Sequence, residues 1–338
     1  MRHFKKPIGI LLPVAFALLF ASNCVRSTGK SVIVESFPVS DSIQPVRIIN
    51  YDPLKINPYT IAKAGKWWLA FLIRNEYAIA ITDDSLNVKA LTCRQGNGPG
   101  EFLWPVSYGT PYSVGDSVII PVKDTYRGTL NRVAVCIDNG VTDVKKTGDV
   151  PVMNRAWIPM PDGSVIVSNN ENRYFLVRPA GDTAYFETWG DNMDAKEYED
   201  WWVPSLQTSE IITQDSSRML IYTDRPYVWL HSTDGKLIRK VYVEHRPDEV
   251  REDLGGLGFN SGSLLGQHFL LLFKDLVDEE NWTCSTRLMI FDMDMNPEAV
   301  YRIAGDCYSF YADPLTGLVY VPDLDEELIR VYDLSEWL

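Results

Sequence analysis

Four arginines stand at equivalent places between short apolar runs: Arg74 in IRNEY, Arg127 in DTYRG, Arg173 in NNENRY and Arg225 in TDRPY. Each has a tyrosine within three residues, namely Tyr77, Tyr126, Tyr174 and Tyr227. A guanidinium offers a planar fork of donors to a carboxylate or sulfate and stacks on aromatic faces. Gathered at one mouth, the four would take an anionic or sugar-like ligand. The same arginines can instead pair with the acids beside them, Glu76, Asp124, Glu171 and Asp224, and staple their own loops. A second aromatic set is Trp201 and Trp202, adjacent in the acidic stretch GDNMDAKEYEDWWVPSLQ, with Trp282 in DEENW as a weaker companion. Tandem Trp beside carboxylates makes a carbohydrate platform or a protein-docking patch; the alternative is one ring in the core and one over a strand edge.

Catalytic chemistry has less material. Beyond the leader only His231, His245 and His268 remain, none near a recognisable nucleophile motif, and no G-x-S-x-G occurs. Glu197, Glu199 and Asp200 have the composition of a glycosidase acid pair, as would any acidic loop. DMDMN (292–296) alternates oxygens like a calcium loop but lacks the downstream Gly and Glu, and reads as a turn between strands. No catalytic residue, cofactor or metal is therefore assigned. The expected function is non-enzymatic binding of a small molecule, glycan or envelope protein; the alternative is a lyase or hydrolase acting on a carbohydrate-like or anionic substrate at the same face.

These loops need a scaffold that repeats them. Long amphipathic helices are missing, and short β-rich runs alternate with Gly, Pro, Asn and Asp. The runs recur as strand, tight turn, strand, loop, strand, tight turn, strand, with a period of roughly 40–60 residues that suits four-stranded propeller blades. Six units fit, around WWLAFLIRNEYAIAITDDSLNVKALT, DSVIIPVKDTYRGTLNRVAVCIDNGVTDVKKT, AWIPMPDGSVIVS with YFLVRPAGDTAYFETW, IITQDSSRMLIYTDRPYVWLHSTDGKLIRKVYV, HFLLLFKDLVDEENWTCSTRLMIFDMDMNPEAVYRI and CYSFYADPLTGLVYVPDLDEELIRVYDL. The last has three strands, so SVIVES (31–36) or PVRIIN (45–50) must supply its fourth and close the ring. The expectation is an all-β, six-bladed propeller over 45–338, closed by an N-terminal strand. Tight turns then share one face, while blade connectors and strand-two-to-three loops share the other, which carries the candidate residues.

One connector is unusual. RQGNGPGEFLWP (94–105) follows the outer strand of blade one and concentrates Gly96, Gly98, Pro99 and Gly100 ahead of Glu101 and Phe102. Glycine permits positive φ and close backbone approach, and proline presets a turn dihedral. Glu101 is placed to accept backbone N–H bonds and Phe102 to wedge between blades. GNGPGEFLWP is similar to the G-x-GPG-[EQ]-F-x-x-P connector of NHL-repeat propellers. With its single occurrence, the leader and the length, the chain more closely resembles the TolB-like six-bladed propeller lipoproteins, a resemblance that implies a fold and no settled activity.

Composition bounds the partners. The 338 residues are 46% hydrophobic and 12% aromatic, enough for a large β-rich core. Net charge is −13, and removing the leader with Arg2, Lys5 and Lys6 leaves about −16, which repels phosphate backbones and argues against nucleic acid. MRHFKK followed by PIGILLPVAFALLFAS reads as a signal peptide over 1–23. Cys24 then resembles a lipobox cysteine, although Asn23 and Ala21 depart from the usual residues. Acylated there, the chain would be an outer-membrane lipoprotein facing the periplasm, with 24–44 as a lipid-anchored tether and leading segment. Cys93, Cys136, Cys284 and Cys307 show no C-x-x-C spacing and read most simply as free thiols.

Overall fold

The computed structural model describes residues 25–28, 31–52, 56–72, 75–150, 157–168, 174–186, 208–213, 215–223, 226–243, 258–278, 283–305 and 307–338. Four short strands lead: β1 (Val25–Thr28), β2 (Ser31–Val34), β3 (Val39–Ser42) and β4 (Arg47–Asn50). Blade one is β5 (Pro58–Ala64), β6 (Trp67–Leu72), β7 (Tyr77–Thr82) and β8 (Val88–Arg94). In blade two the inner strand is interrupted as β9 (Pro105–Ser107) and β10 (Tyr112–Val114), both paired to β11 (Ser117–Asp124), followed by β12 (Thr129–Cys136) and β13 (Thr142–Asp149). Blade three is β14 (Trp157–Pro159), β15 (Val165–Ser168), β16 (Tyr174–Val177) and β17 (Thr183–Tyr185). Blade four is β18 (Thr208–Ile212), β19 (Arg218–Thr223), β20 (Tyr227–Ser232) and β21 (Leu237–Val243). Blade five is β22 (Gly258–Leu265), β23 (His268–Asp278), β24 (Thr283–Asp292) and β25 (Pro297–Ile303). Blade six is β26 (Tyr311–Ala312), β27 (Leu318–Asp323), β28 (Leu328–Asp333) and, completing it, β4. The fold is a six-bladed β-propeller, and no α-helix occurs among the described residues.

The core lies between the blades. Alternate residues of a central strand face opposite neighbours, so both faces are apolar and the runs read as continuously hydrophobic. On β23, Phe269, Leu271 and Phe273 pack towards blade four, whereas Leu270 and Leu272 pack towards blade six. Met289 and Phe291 on β24 separate from Leu288 and Ile290 in the same way. Equivalent apolar seams join blades one and two, three and four, and six and one.

The ring closes at two radii. Outside, β4 pairs antiparallel with β28, from Leu328↔Asn50 to Val331↔Arg47, so PVRIIN is the closing strand. Inside, Lys63 on β5 meets Asp313 of blade six at 2.9 Å, and the Ser309 hydroxyl donates to the Tyr59 carbonyl.

Within 24–44, expected as a tether and leading segment, residues 25–28 and 31–42 supply strands built onto the body. β1 and β2 form an antiparallel hairpin, and β2 runs parallel to β21 from Ser31↔Lys240 to Val34↔Val243. β3 runs parallel to β25, from Ala299↔Val39 to Arg302↔Ser42. The N-terminal segment thus walks across the outer edges of blades four, five and six in turn. Its apolar residues explain why it stays: Val32 and Val34 are buried, and Phe37 meets Phe291 edge-on with centroids 5.3 Å apart. Ile43 packs at the seam of blades five and six, and Tyr51 at the seam of six and one.

Candidate functional site

The glycine-rich connector between β8 and β9 is fastened along its length. Gly96 N donates to the Phe102 carbonyl and Phe102 N to the Arg94 carbonyl, each at 2.9 Å. Glu101 folds back to accept from Gly98 N at 2.7 Å. A Cβ on Gly96 would lie 2.2 Å from Glu101 Oε2, and one on Gly98 would lie 2.9 Å from it. Gly100 has φ +76°. The glycines therefore have different reasons: Gly96 and Gly98 make room for a carboxylate, while Gly100 takes a left-handed backbone. Gly98 does not share that backbone; of the two roles open to these glycines, close approach is its constraint. Phe102 is 3% exposed in the seam of blades one and two, where it was expected to wedge.

Blade two holds the connector from the other side. Asp124, 1% exposed at the end of β11, accepts from Leu103 N at 2.9 Å and Trp104 N at 3.2 Å. Thr125 N returns a bond to the Trp104 carbonyl at 3.0 Å. The Arg127 guanidinium donates to the carbonyls of Glu101 and Gly96, the latter at 3.0 Å, and stands 3.8 Å from Asp124. Arg127 is thus a staple between a blade connector and a strand-two-to-three loop. The contacts also establish that these two kinds of loop share a face.

On this fixed platform two large rings remain outside. Trp104 is 56% and Tyr126 52% exposed, edge-on at 6.1 Å and 85°. Beside them in the chain, exposed Arg94 pairs with Glu76 at 2.8 Å and reaches Glu101 at 3.4 Å. Trp104 was not singled out from sequence, because the whole stretch has an architectural explanation; its signal was a Trp following a rigid turn.

The other candidates divide. Arg74, Arg173, Arg225, Trp201, Trp202 and Trp282 lie outside the described residues, as does Cys24. Tyr174 does not reach a mouth: it is 1% exposed and edge-on to Phe186 in the seam of blades three and four, because its place on β16 points it inward. Tyr227 is half-buried on blade four, 4.8 Å from Tyr242 and 6.2 Å from Trp229 between ring centroids, with Lys240 Nζ 5.7 Å from its ring.

The tight-turn face holds a cleft of about 330 Å³ between the turns of blades four and five, lined by Asp215, Ser217, Arg218, Gln267 and Met293 among others. Its polar groups serve one another. Hydrogen bonds from Thr213 and Ser217 hold Asp215 down to a pKa of about 2, and Arg218 donates to the Met293 carbonyl and Asp294 at 2.7 Å each. Asp292 of DMDMN accepts from Asp294 N and Asn296 N, the bonding of a β-turn. Of the histidines, His231 is buried against Phe186, and His268 sits between the Trp337 carbonyl and Glu298. Cys93, Cys136 and Cys307 are free thiols, and burial pushes Cys93 up to about 12; the Cys284 side chain is outside the described residues.

No family model and no curated protein matches the chain. Among solved structures it is similar to a member of the DUF4221 family from Bacteroides vulgatus, at TM-score 0.52 and 9% identity, covering 85% of this chain and 95% of that one. It is also similar to BamB from Moraxella catarrhalis (TM-score 0.35, 10% identity, 86% and 99% covered) and to the Cps50 (Swd1) β-propeller domain from Myceliophteria thermophila (TM-score 0.41, 10% identity, 85% and 99% covered). The last two overlaps are too loose to argue from. At 9% identity the first speaks for a shared fold alone, which agrees with the six-bladed propeller read from strand pairing.

Proposed function

We propose that this chain is a lipid-anchored propeller of the cell envelope that binds a glycan or an envelope protein on the face formed by its connectors and strand-two-to-three loops. The observation that carries the reading is the Trp104–Tyr126 pair. Two large aromatic rings stay exposed on backbone pinned by Asp124 and Arg127. A platform already ordered loses little entropy on binding, and aromatic faces supply most of the contact energy in such sites. Arg94 and Glu76 add charged groups on the same connector face.

The anchor rests on Cys24 behind the basic and apolar leader. The resemblance to TolB-like propeller lipoproteins agrees with that address and with a binding role. Two measurements test the proposal. Cys24→Ala should move the protein from the membrane to the soluble fraction; unchanged membrane association removes the anchor. Purified protein titrated with neutral and acidic oligosaccharides should change its tryptophan fluorescence, and Trp104→Ala should abolish that change without moving Tm. If no oligosaccharide binds, yet wild type captures an envelope protein that Trp104→Ala does not, the ligand is protein.

A further inference from the structure

The leading strands determine where an anchor at Cys24 would leave the fold. Cys24 is bonded to Val25, the first residue of β1, and adjacent Cα atoms are about 3.8 Å apart. Val25 pairs with Val34, which is fully buried, and Val34 pairs with Val243 at the end of β21. No free spacer intervenes. A flexible tether of twenty residues would instead wander by roughly 25 Å.

The direction of β21 identifies the face. It runs from the tight turn at Thr233–Asp234 towards the connector that follows Val243, so its far end lies on the loop-rich face. β2 is parallel to it and β1 antiparallel to β2, which puts Val25 at the loop-side end of blade four's rim. A second feature lies at the same corner. Tyr227 and Tyr242 are cross-strand partners, and Ile33 of the leading segment pairs with Tyr242. All three are half-buried, and Lys240 lies over the Tyr227 ring. Tyr227 also packs against the seam of blades three and four, so the corner that carries Val25 is part of the rigid body.

We infer that the loop-side corner of blade four is the membrane-facing surface of the protein. This rests on the proposed anchor at Cys24. Blade one, three steps around the ring, then points away from the bilayer, and Trp104 and Tyr126, at the junction of blades one and two, stand clear of the lipid.

The test uses full-length acylated protein in phosphatidylethanolamine–phosphatidylglycerol vesicles carrying a headgroup quencher. Single cysteines for a fluorophore, in a Cys136→Ser/Cys284→Ser background, are placed at Glu35 (next to Val34 at the loop-side end of the blade-four rim), Asp234 (tight-turn face of blade four) and Leu91 (rim of blade one). Quenching at Glu35 should exceed that at Asp234 and Leu91 by severalfold. A ten-residue Gly/Ser spacer between Cys24 and Val25, which wanders by roughly 17 Å, should level the three without changing flotation. Equal quenching in the unmodified chain, or stronger quenching at Asp234 or Leu91, overturns the inference while leaving the anchor intact. Failure of the wild-type protein to float with vesicles removes the anchor, and the inference with it.

Discussion

Arg127 carries a side chain whose type suggests a ligand and whose geometry gives it another task. Its donors go to the carbonyls of Glu101 and Gly96 on the connector. Arg127→Ala should therefore cost about 1.5–3 kcal/mol, the range for hydrogen bonds to charged groups. Gly100→Val should cost about 1–3 kcal/mol through its left-handed backbone, whereas Gly98→Val acts by displacing Glu101. Urea unfolding measures all three. Unchanged stability with lost oligosaccharide or partner binding would mean that the connector is itself a site.

At the scale of elements, the outer edges of the blades are managed in two ways. Blades one and two expose lysines on their outer strands, Lys89 on β8 and Lys145 and Lys146 on β13, and charge discourages edge-to-edge pairing. Blades four, five and six are covered instead by β2, β3 and β4. Phe37 is the rivet of that cover, 6% exposed between blades four and five. Phe37→Ala should cost about 3–5 kcal/mol. Hydrogen exchange should rise in peptides from β21 and β25 and stay unchanged in blades one and two; a uniform rise would show that the leading segment does not act locally.

The whole ring depends on the junction of blades six and one, and that junction is rich in buried tyrosine. Burial raises Tyr51 to about 12, aided by Asp323 and Glu327. Burial likewise raises Tyr311 at the same junction, and Tyr332 in the neighbouring seam of blades five and six, to about 12. These groups stay protonated in the fold while the unfolded chain ionises near pH 10. Their contribution is fully present below about pH 10 and is lost as pH rises to about 12. Melting temperature should fall across that window, and Tyr51→Phe with Tyr332→Phe should flatten the fall. An equal slope in the double variant would locate the alkaline sensitivity elsewhere.

Sequence by itself determined the repeating element and its phase. Apolar runs such as HFLLLF and SVIIPV are long because central strands are buried on both faces, and turns such as PDG and TDG punctuate them. That pattern was enough to place Arg127 between the second and third strands of its blade and to assign Phe102 to a seam. Tertiary structure decided the rest. Parallel pairing of β2 and β3 at blade edges leaves no local signature, since the partners lie some two hundred residues away or more. The bonds of Arg127 span the gap between two blades, so its neighbouring acid gave only half of its environment. Tyr174 and Tyr126 look alike beside their arginines, and only the packing of rings against Phe186 or Trp104 separates a core residue from an exposed one. Local propensity chooses strands and turns; which side chains stay in water is set by the seams between blades, and these form only when the ring closes.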